Sequence, residues 1–401
     1  MKIALCHESV LPQRGGCETY IASLAHRLAT DGHEVRLYAC RWDADALPAG
    51  IQYHPVEVSS RLRIWRQWGF SRACRELLAG SDHDVSIGFD KVAGVDVLYP
   101  QAGVHAEAIE ASLRKHGSSL LRAILRSIRW MDPAEWSFWA LERSACRQAG
   151  TSLIAISDMV RGHLQKAYGV ESSRLHTLPI AALPQRFEPL DRPRRRFEAR
   201  RRWGLTPSRP VGLFAAMNFR LKGLDPLLRA LALVDEPIEL IAVGRKCGAA
   251  YARLARELGV EDKVRFVGFC PDVRDAYFAA DFLVHPTFYD PCSNVVLEAL
   301  ACGLPVITTR YNGAAELLSR QGTDYAEGYV IDDPHDHQRL AEALRSMTDA
   351  SRRERFAAEA REAAKRWTFE DHYRGLMHIL AAVSDVPINT PCFEPTPQVV
   401  G

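Results

Sequence analysis

Phe282-Leu-Val-His-Pro-Thr-Phe-Tyr-Asp-Pro-Cys-Ser-Asn-Val-Val-Leu-Glu298 reads as a buried strand, a polar loop and a helix in direct succession. The apolar run Phe282-Leu-Val284 supplies the strand, and the helix begins at Ser293 or Asn294. Asp290 lies in the loop and Glu298 on the second helical turn. Both acids and the free N–H groups of the helix start are expected to face one cavity. A helix N-terminus offers unpaired donors and partial positive charge, which suits a diphosphate. Carboxylates beside it suit sugar hydroxyls, which are donors. A buried N-cap with a surface Glu is the plainer reading of the same residues.

The strand–helix unit recurs along the chain. Ile3–Cys6, Val35–Tyr38, Val85–Ile87, Val95–Leu98 and Leu153–Ala155 read as strands in the first half. Val211–Phe214, Glu239–Val243, Val264–Phe266, Phe282–Val284 and Pro305–Thr308 read as strands in the second. Helical patterns lie between them, as in Glu18–Ala29 with Ile21, Leu24, Ala25 and Leu28 on one face. This alternation predicts an α/β protein with parallel sheets covered by helices on both faces. With 401 residues, two such doubly wound domains fit. Composition shifts between Pro179 and Pro210, a stretch that holds six prolines and the Arg-rich run Arg192–Arg202. The interdomain linker is placed there. The expected units are 1–184, 185–368 and a final helix 369–384, with a disordered tail at 385–401.

A 47% hydrophobic and 25% charged composition is that of a soluble globular chain. The net charge of +2 points to no particular partner. The N-terminal apolar stretch is too short for a signal peptide, and no run of about 18 apolar residues suggests a membrane span. The ten cysteines are scattered, with no zinc-ligand spacing in the linear sequence. A reduced cytosolic setting follows.

Several clusters fall at the carboxyl ends of these strands, where doubly wound sheets bind ligands. Gly15-Gly16, between the first strand and first helix, either approaches a ligand closely or makes a plain turn. Arg220 and Lys222 in Asn218-Phe-Arg-Leu-Lys-Gly223 follow the strand Val211–Phe214. They can neutralise a diphosphate, Arg as a fork and Lys as a point charge. Gln101-Ala-Gly-Val-His105 puts His105 at the edge of the first sheet, as a structural residue or a site group. From Arg114 to Arg129 the chain carries five cations and no acid, then Trp130, Trp136 and Trp139. Arg122, Arg126 and Arg129 share one helical face and Leu121, Ile124, Leu125 and Ile128 another. That is the pattern of a helix lying on an anionic membrane, or of a surface helix packed on the sheet. Arg61–Trp68 is a second basic aromatic stretch. No nucleic-acid motif accompanies either one.

Taken together and in this order, these motifs resemble the retaining family 4 glycosyltransferases of GT-B fold. Ala155-Ile-Ser-Asp158 and Trp367-Thr-Phe-Glu370 extend the likeness, which runs from Lys2 to about Leu380. Gly88–Val97 is similar to the matching stretch of bacterial lipopolysaccharide core glucosyltransferases. The resemblance implies two Rossmann-like domains facing across a cleft and transfer of a hexose from a nucleotide-sugar, a UDP-sugar favoured. The acceptor would be a saccharide or lipid-linked, as in cell-surface polysaccharide or lipopolysaccharide core synthesis.

The same resemblance implies residue roles. Lys222, Arg220, Asp290 and His105 would serve catalysis. Gly15, Gly16, Gly244, Arg245, Phe269, Cys270, Ser293, Asn294, Val295 and Glu298 would bind the donor. Asp90, Lys91 and Gly103 would lie on the acceptor side. Arg122, Arg126, Arg129 and Trp130 would meet the inner face of the cytoplasmic membrane. No metal or cofactor is implied, because Arg220 and Lys222 stand where a metal would. The family's first acid is usually Glu, so Asp290 is one methylene short. Its usual Arg lies further upstream than Arg220. Rival expectations are a sugar-nucleotide epimerase, which would act without acceptor, and a non-catalytic membrane adaptor, which would not bind UDP-sugars.

Overall fold

The computed structural model describes residues 1–12, 15–60, 62–182, 191–244, 249–321 and 324–384. The expected disordered tail 385–401 lies outside them, as do Arg61 and Arg245. The chain packs as two units. The first holds Met1–Ile109, Ala123–Pro179 and the chain from Glu370 onward; the second holds Glu110–Arg122 and Ile180–Phe369.

The first unit is built on a seven-stranded sheet. Its strands are β1 (Lys2–Cys6), β2 (Glu34–Ala39), β3 (Gln52–Pro55), β4 (Val85–Phe89), β5 (Val97–Tyr99), β6 (Ser152–Ala155) and β7 (Leu175–Thr177). They lie in the order β3-β2-β1-β4-β5-β6-β7, and every pairing is parallel. This is the doubly wound arrangement, with the order reversing beside β1. The helix Gly16–Thr30 covers it with Ile21, Leu24 and Leu28 fully buried. Each such side chain contributes roughly 1.5–3 kcal/mol of transfer free energy. β3 is largely polar and β7 spans only three residues, so neither has an apolar signal strong enough to read from sequence. The expected strand at Val95 begins instead at Val97.

The second sheet has β8 (Val211–Ala215), β9 (Glu239–Val243), β10 (Val264–Gly268), β11 (Phe282–His285) and β12 (Val306–Thr309), then β13 (Arg320–Gln321), β14 (Asp324–Tyr325) and β15 (Gly328–Ile331). The order is β10-β9-β8-β11-β12-β15-β14-β13, parallel up to β15, with β13 and β14 as an antiparallel edge. Phe214, Leu227, Leu231, Phe282 and Ile307 meet in its core.

Two expectations are corrected here. The Arg-rich run is not linker: Arg192–Arg202 is a helix of the second unit, packed on the helix Arg274–Ala279. Arg195 pairs with Asp272 and Asp275 at 2.7 and 2.6 Å, and Arg196 and Arg200 each reach Asp281 at 2.6 Å. Asp281 also accepts the Val211 N–H, so the cations tie this helix to the start of β8. The density of Arg reflects three acids that stand apart from the run in sequence. Second, Glu110–Arg122 packs with the second unit rather than within 1–184. There the Arg114 guanidinium lies 4.3 Å from the Tyr311 ring centroid, and the Arg114 carbonyl is 2.8 Å from His335 Nε2.

The final helix, Phe369–Ser384, brings His372 into the first unit's core. His372 Nδ1 donates to the Pro179 carbonyl at 2.8 Å, and Nε2 accepts from the Tyr20 hydroxyl at 2.6 Å. Burial pushes the imidazole down to about 4, against the raising effect of the Pro179 carbonyl. The unfolded chain therefore binds the proton first. The stabilisation is complete above the unfolded value near 6.5 and is lost as pH falls from there toward 4. From pH 7 to pH 4 the loss is about 3 kcal/mol. Comparing urea midpoints of wild type and His372→Gln across that range checks it: wild type should lose more stability than the variant, and parallel curves would refute the assignment.

Candidate active site

Tertiary structure builds the centre of the second unit's site from the β8 and β11 loops. Gly223 makes the join possible. Its φ is +84°, and a Cβ there would stand 2.0 Å from the Pro286 carbonyl oxygen, so only glycine fits. The Phe288 N–H donates to the Leu221 carbonyl at 2.9 Å and fastens the two loops further. Lys222 is thereby carried to Asp290: Nζ donates to Oδ2 at 2.7 Å and to the Tyr289 carbonyl at 3.0 Å. His285, at the end of β11, places Nε2 3.2 Å from the same Oδ2. Oδ1 has no hydrogen-bond partner among the described residues and is the oxygen left for a ligand.

The electrostatics reinforce this arrangement. Burial alone would raise the Asp290 carboxyl, but the Lys222 ammonium and His285 outweigh it and hold it well below the usual carboxylate range. Burial pushes His285 down; Asp290 pulls it up and Lys222 opposes. The imidazole is neutral at physiological pH, so Nε2 carries the proton it gives to Asp290.

Asp290 is also held by backbone. Its N–H donates to the Tyr311 carbonyl, and its carbonyl accepts from the Gly313 N–H, both at 2.9 Å. Asn312 buttresses the next turn, with Oδ1 accepting from Ser293 N at 3.2 Å and Ala314 N at 3.1 Å. Ser293 is the N-cap of the helix Asn294–Ala301, yet its side chain makes no capping bond. Its hydroxyl is buried without a hydrogen-bond partner among the described residues. The N–H groups of Asn294 and Val295 open the helix beside it. Glu298, four residues on, accepts from the Tyr277 hydroxyl at 2.6 Å.

The structure thus joins Lys222 to Asp290 but does not gather all the expected groups. Glu298 is held by the Tyr277 hydroxyl. Arg220 is exposed and directs Nη2 to the His116 ring at 3.2 Å instead of joining Lys222. Gly244 directly follows β9, and a Cβ there would stand 2.0 Å from the Ala216 carbonyl oxygen. Phe269 is 60% exposed, and Cys270 donates its thiol to the Asp272 carbonyl at 3.0 Å. Arg245 lies outside the described residues.

In the first unit, Gly15 is the N-cap of the helix that Gly16 opens. Asp90 adopts φ +66° just after β4, and its Oδ1 accepts from the Ala102 N–H at 2.9 Å. Gly103, at φ +76°, turns the chain toward His105. His105 Nε2 lies 2.8 Å from Glu135 Oε2. Burial and the Lys91 charge push this imidazole down against Glu142 and Glu135.

Glu142 is the organiser that sequence reading missed. It is 2% exposed, accepts the His105 N–H at 2.8 Å, pairs with Lys91 Nζ at 3.2 Å and takes a hydrogen bond from the Tyr168 hydroxyl. A signal existed: Glu142 falls on the buried stripe of Phe138, Leu141 and Ala145 in the helix Pro133–Arg147. An acid there must have partners. His285 and Asn312 had no comparable signal, because their roles depend on separate loops.

The helix Ser119–Trp130 carries Arg122, Arg126 and Arg129 and buries none of its residues. Leu120, Ile128 and Trp130 are 70%, 54% and 69% exposed, and Leu121 and Ile124 are exposed beside them. Its apolar face is therefore not packed on the sheet. In the first unit, Trp68 Nε1 donates to Ser137 Oγ at 2.9 Å, and Trp65 is 64% exposed. No helix among the described residues is long and apolar enough to cross a membrane.

Residues 14–181 match the model of Glycosyltransferase Family 4, and residues 209–349 that of Glycosyl transferases group 1. Lipopolysaccharide glucosyltransferase WaaG of Escherichia coli is 29% identical over 91% of this chain and 94% of its own. D-inositol 3-phosphate glycosyltransferase 2 of Catenulispora acidiphila is 29% identical over 89% and 91%. The crystal structure of WaaG, a glycosyltransferase involved in lipopolysaccharide biosynthesis, superposes with a TM-score of 0.77 at 27% identity, covering 94% of this chain and 99% of that one.

Proposed function

This chain belongs to glycosyltransferase family 4 and is a glycosyltransferase, and we propose that it moves a hexose from a UDP-sugar, with retention at the anomeric carbon, to a saccharide or lipid-linked acceptor. A place in lipopolysaccharide core or related cell-surface synthesis is supported by the similarity to the Escherichia coli glucosyltransferase. The observation that carries the donor reading is the Lys222–Asp290 pair, at the carboxyl edge of the second sheet. Asp290 belongs to the same loop–helix segment as the Ser293 hydroxyl, which is buried with no hydrogen-bond partner among the described residues.

In this reading Lys222, Arg220 and the Asn294 and Val295 N–H groups receive the charge that develops on the departing diphosphate. Asp290 uses Oδ2 to hold Lys222 and Oδ1 to hold donor sugar hydroxyls. Glu298, steadied by Tyr277, takes ribose hydroxyls, and Gly244 and Phe269 border the base. Asp90, Lys91 and Gly103 orient the acceptor, and His105 serves catalysis near the donor sugar. No metal or cofactor is assigned to the transfer. Incubating the purified protein with UDP-, GDP- and ADP-sugars and following hydrolysis tests this. A UDP-hexose should be consumed fastest; inertness toward the whole panel would sink the donor reading.

Peripheral attachment to the cytoplasmic face of the membrane is part of the same proposal. It is supported by the exposed apolar side chains of Ser119–Trp130 beside three arginines. The protein should sediment with phosphatidylserine-containing vesicles at low salt. At about 1 kcal/mol per cation, replacing Arg122, Arg126 and Arg129 by Gln should weaken partitioning on the order of a hundredfold. Equal sedimentation of the triple variant would exclude the interfacial role of this helix.

A further inference from the structure

Three potential metal ligands from separate elements converge in the first unit. His7 follows β1 directly, Asp90 follows β4 directly, and Cys17 lies in the first turn of the helix Gly16–Thr30. β1 and β4 are neighbours, with Cys6 paired to Gly88, so His7 and Asp90 leave the same edge of the sheet. One imidazole nitrogen, the Cys17 sulfur and one Asp90 oxygen all lie within 4.8 Å of one another. Ligand atoms around tetrahedral zinc, at bonds of about 2.0–2.3 Å, stand roughly 3.5 Å apart. Small side-chain rotations close that difference.

The surroundings suit ligation. Asp90 Oδ1 is anchored by the Ala102 N–H at 2.9 Å, which orients the carboxylate and leaves Oδ2 for a metal. The His7 ring stands edge-on to Phe89, with centroids 6.3 Å apart. All three residues are half-buried, so an ion can enter. Sulfur and imidazole nitrogen with one carboxylate select a borderline ion such as Zn2+ over Mg2+ or Ca2+, which prefer all-oxygen sets.

We propose that His7, Cys17 and Asp90 form a three-ligand zinc site at the carboxyl edge of the first sheet, with the fourth position open to water. Cys17 directly follows Gly16, so ligation ties the Gly15-Gly16 turn to the Asp90 segment. The three ligands all belong to the first unit, whereas Lys222 and Asp290 belong to the second. The site is invisible to a search for linear spacing, because the three ligands come from two strand ends and a helix start.

Cobalt titration of the chelator-treated full chain tests this without reference to transfer. One equivalent of Co2+ should produce a thiolate-to-cobalt charge-transfer band that Zn2+ abolishes by displacement. Cys17→Ser should remove the band. His7→Gln, which keeps the thiol, should weaken binding by at least about tenfold, no less than loss of an outer-shell partner does. The band should persist in the Cys40→Ser/Cys270→Ser double variant, which removes two other half-buried thiols. Absence of a one-equivalent band, or its survival in Cys17→Ser, overturns the proposal.

Discussion

Lys222→Ala is expected to lower kcat/KM for glycosyl transfer by about a thousandfold, or about 4 kcal/mol of transition-state stabilisation. The fall should lie mainly in kcat, because the charge Lys222 meets is largest when the diphosphate leaves. The same change also leaves Asp290 without its cation in a site where that carboxylate is largely buried. Uncompensated burial of this kind costs about 3 kcal/mol, so thermal unfolding must be followed alongside turnover. Lys222→Arg keeps the charge but not its point geometry. It should recover stability more fully than rate. If Lys222→Ala retained turnover within threefold of wild type at a temperature where it is folded, the leaving-group role would be wrong.

Glu142→Ala should be the most damaging single change to the stability of the first unit. The carboxylate serves Lys91, the His105 N–H and the Tyr168 hydroxyl at once. Its removal strands all three in a nearly dry environment. Loss of one partner from such a buried pair costs about 3–5 kcal/mol, which lowers Tm by roughly 10 °C in a unit of this size. Glu142→Gln keeps one acceptor oxygen and should cost about half as much. Calorimetry of the two variants decides the point; a Tm within 1 °C of wild type for Glu142→Ala would show that the three groups find other partners. Because Glu142 also holds Lys91 on the acceptor side, Glu142→Gln should raise KM for the acceptor while leaving KM for the donor nearly unchanged.

The parallel sheets were legible because each central strand is a short apolar run between helical patterns. β8 and β11 begin where their apolar residues begin, at Val211 and Phe282. Edge strands such as β3 escaped because an edge can be polar and still pair. The Arg192–Arg202 run misled for the opposite reason. Composition alone does not separate a solvated basic linker from a helix whose cations meet Asp272, Asp275 and Asp281.

The amino-acid sequence alone determined the α/β class, the strand–loop–helix order around Asp290 and Glu298, and the presence of cations after β8. These are local properties: periodicity, apolar runs and loop chemistry act over a few residues and need no partner. Tertiary structure decided which groups meet. It brought Lys222 onto Asp290 across 68 residues, set Glu298 against the Tyr277 hydroxyl, and placed Glu142 against Lys91 and the His105 N–H. It also gathered His7, Cys17 and Asp90. Such pairings depend on strand order and on close backbone approaches like that of Gly223 to Pro286, which linear spacing does not encode.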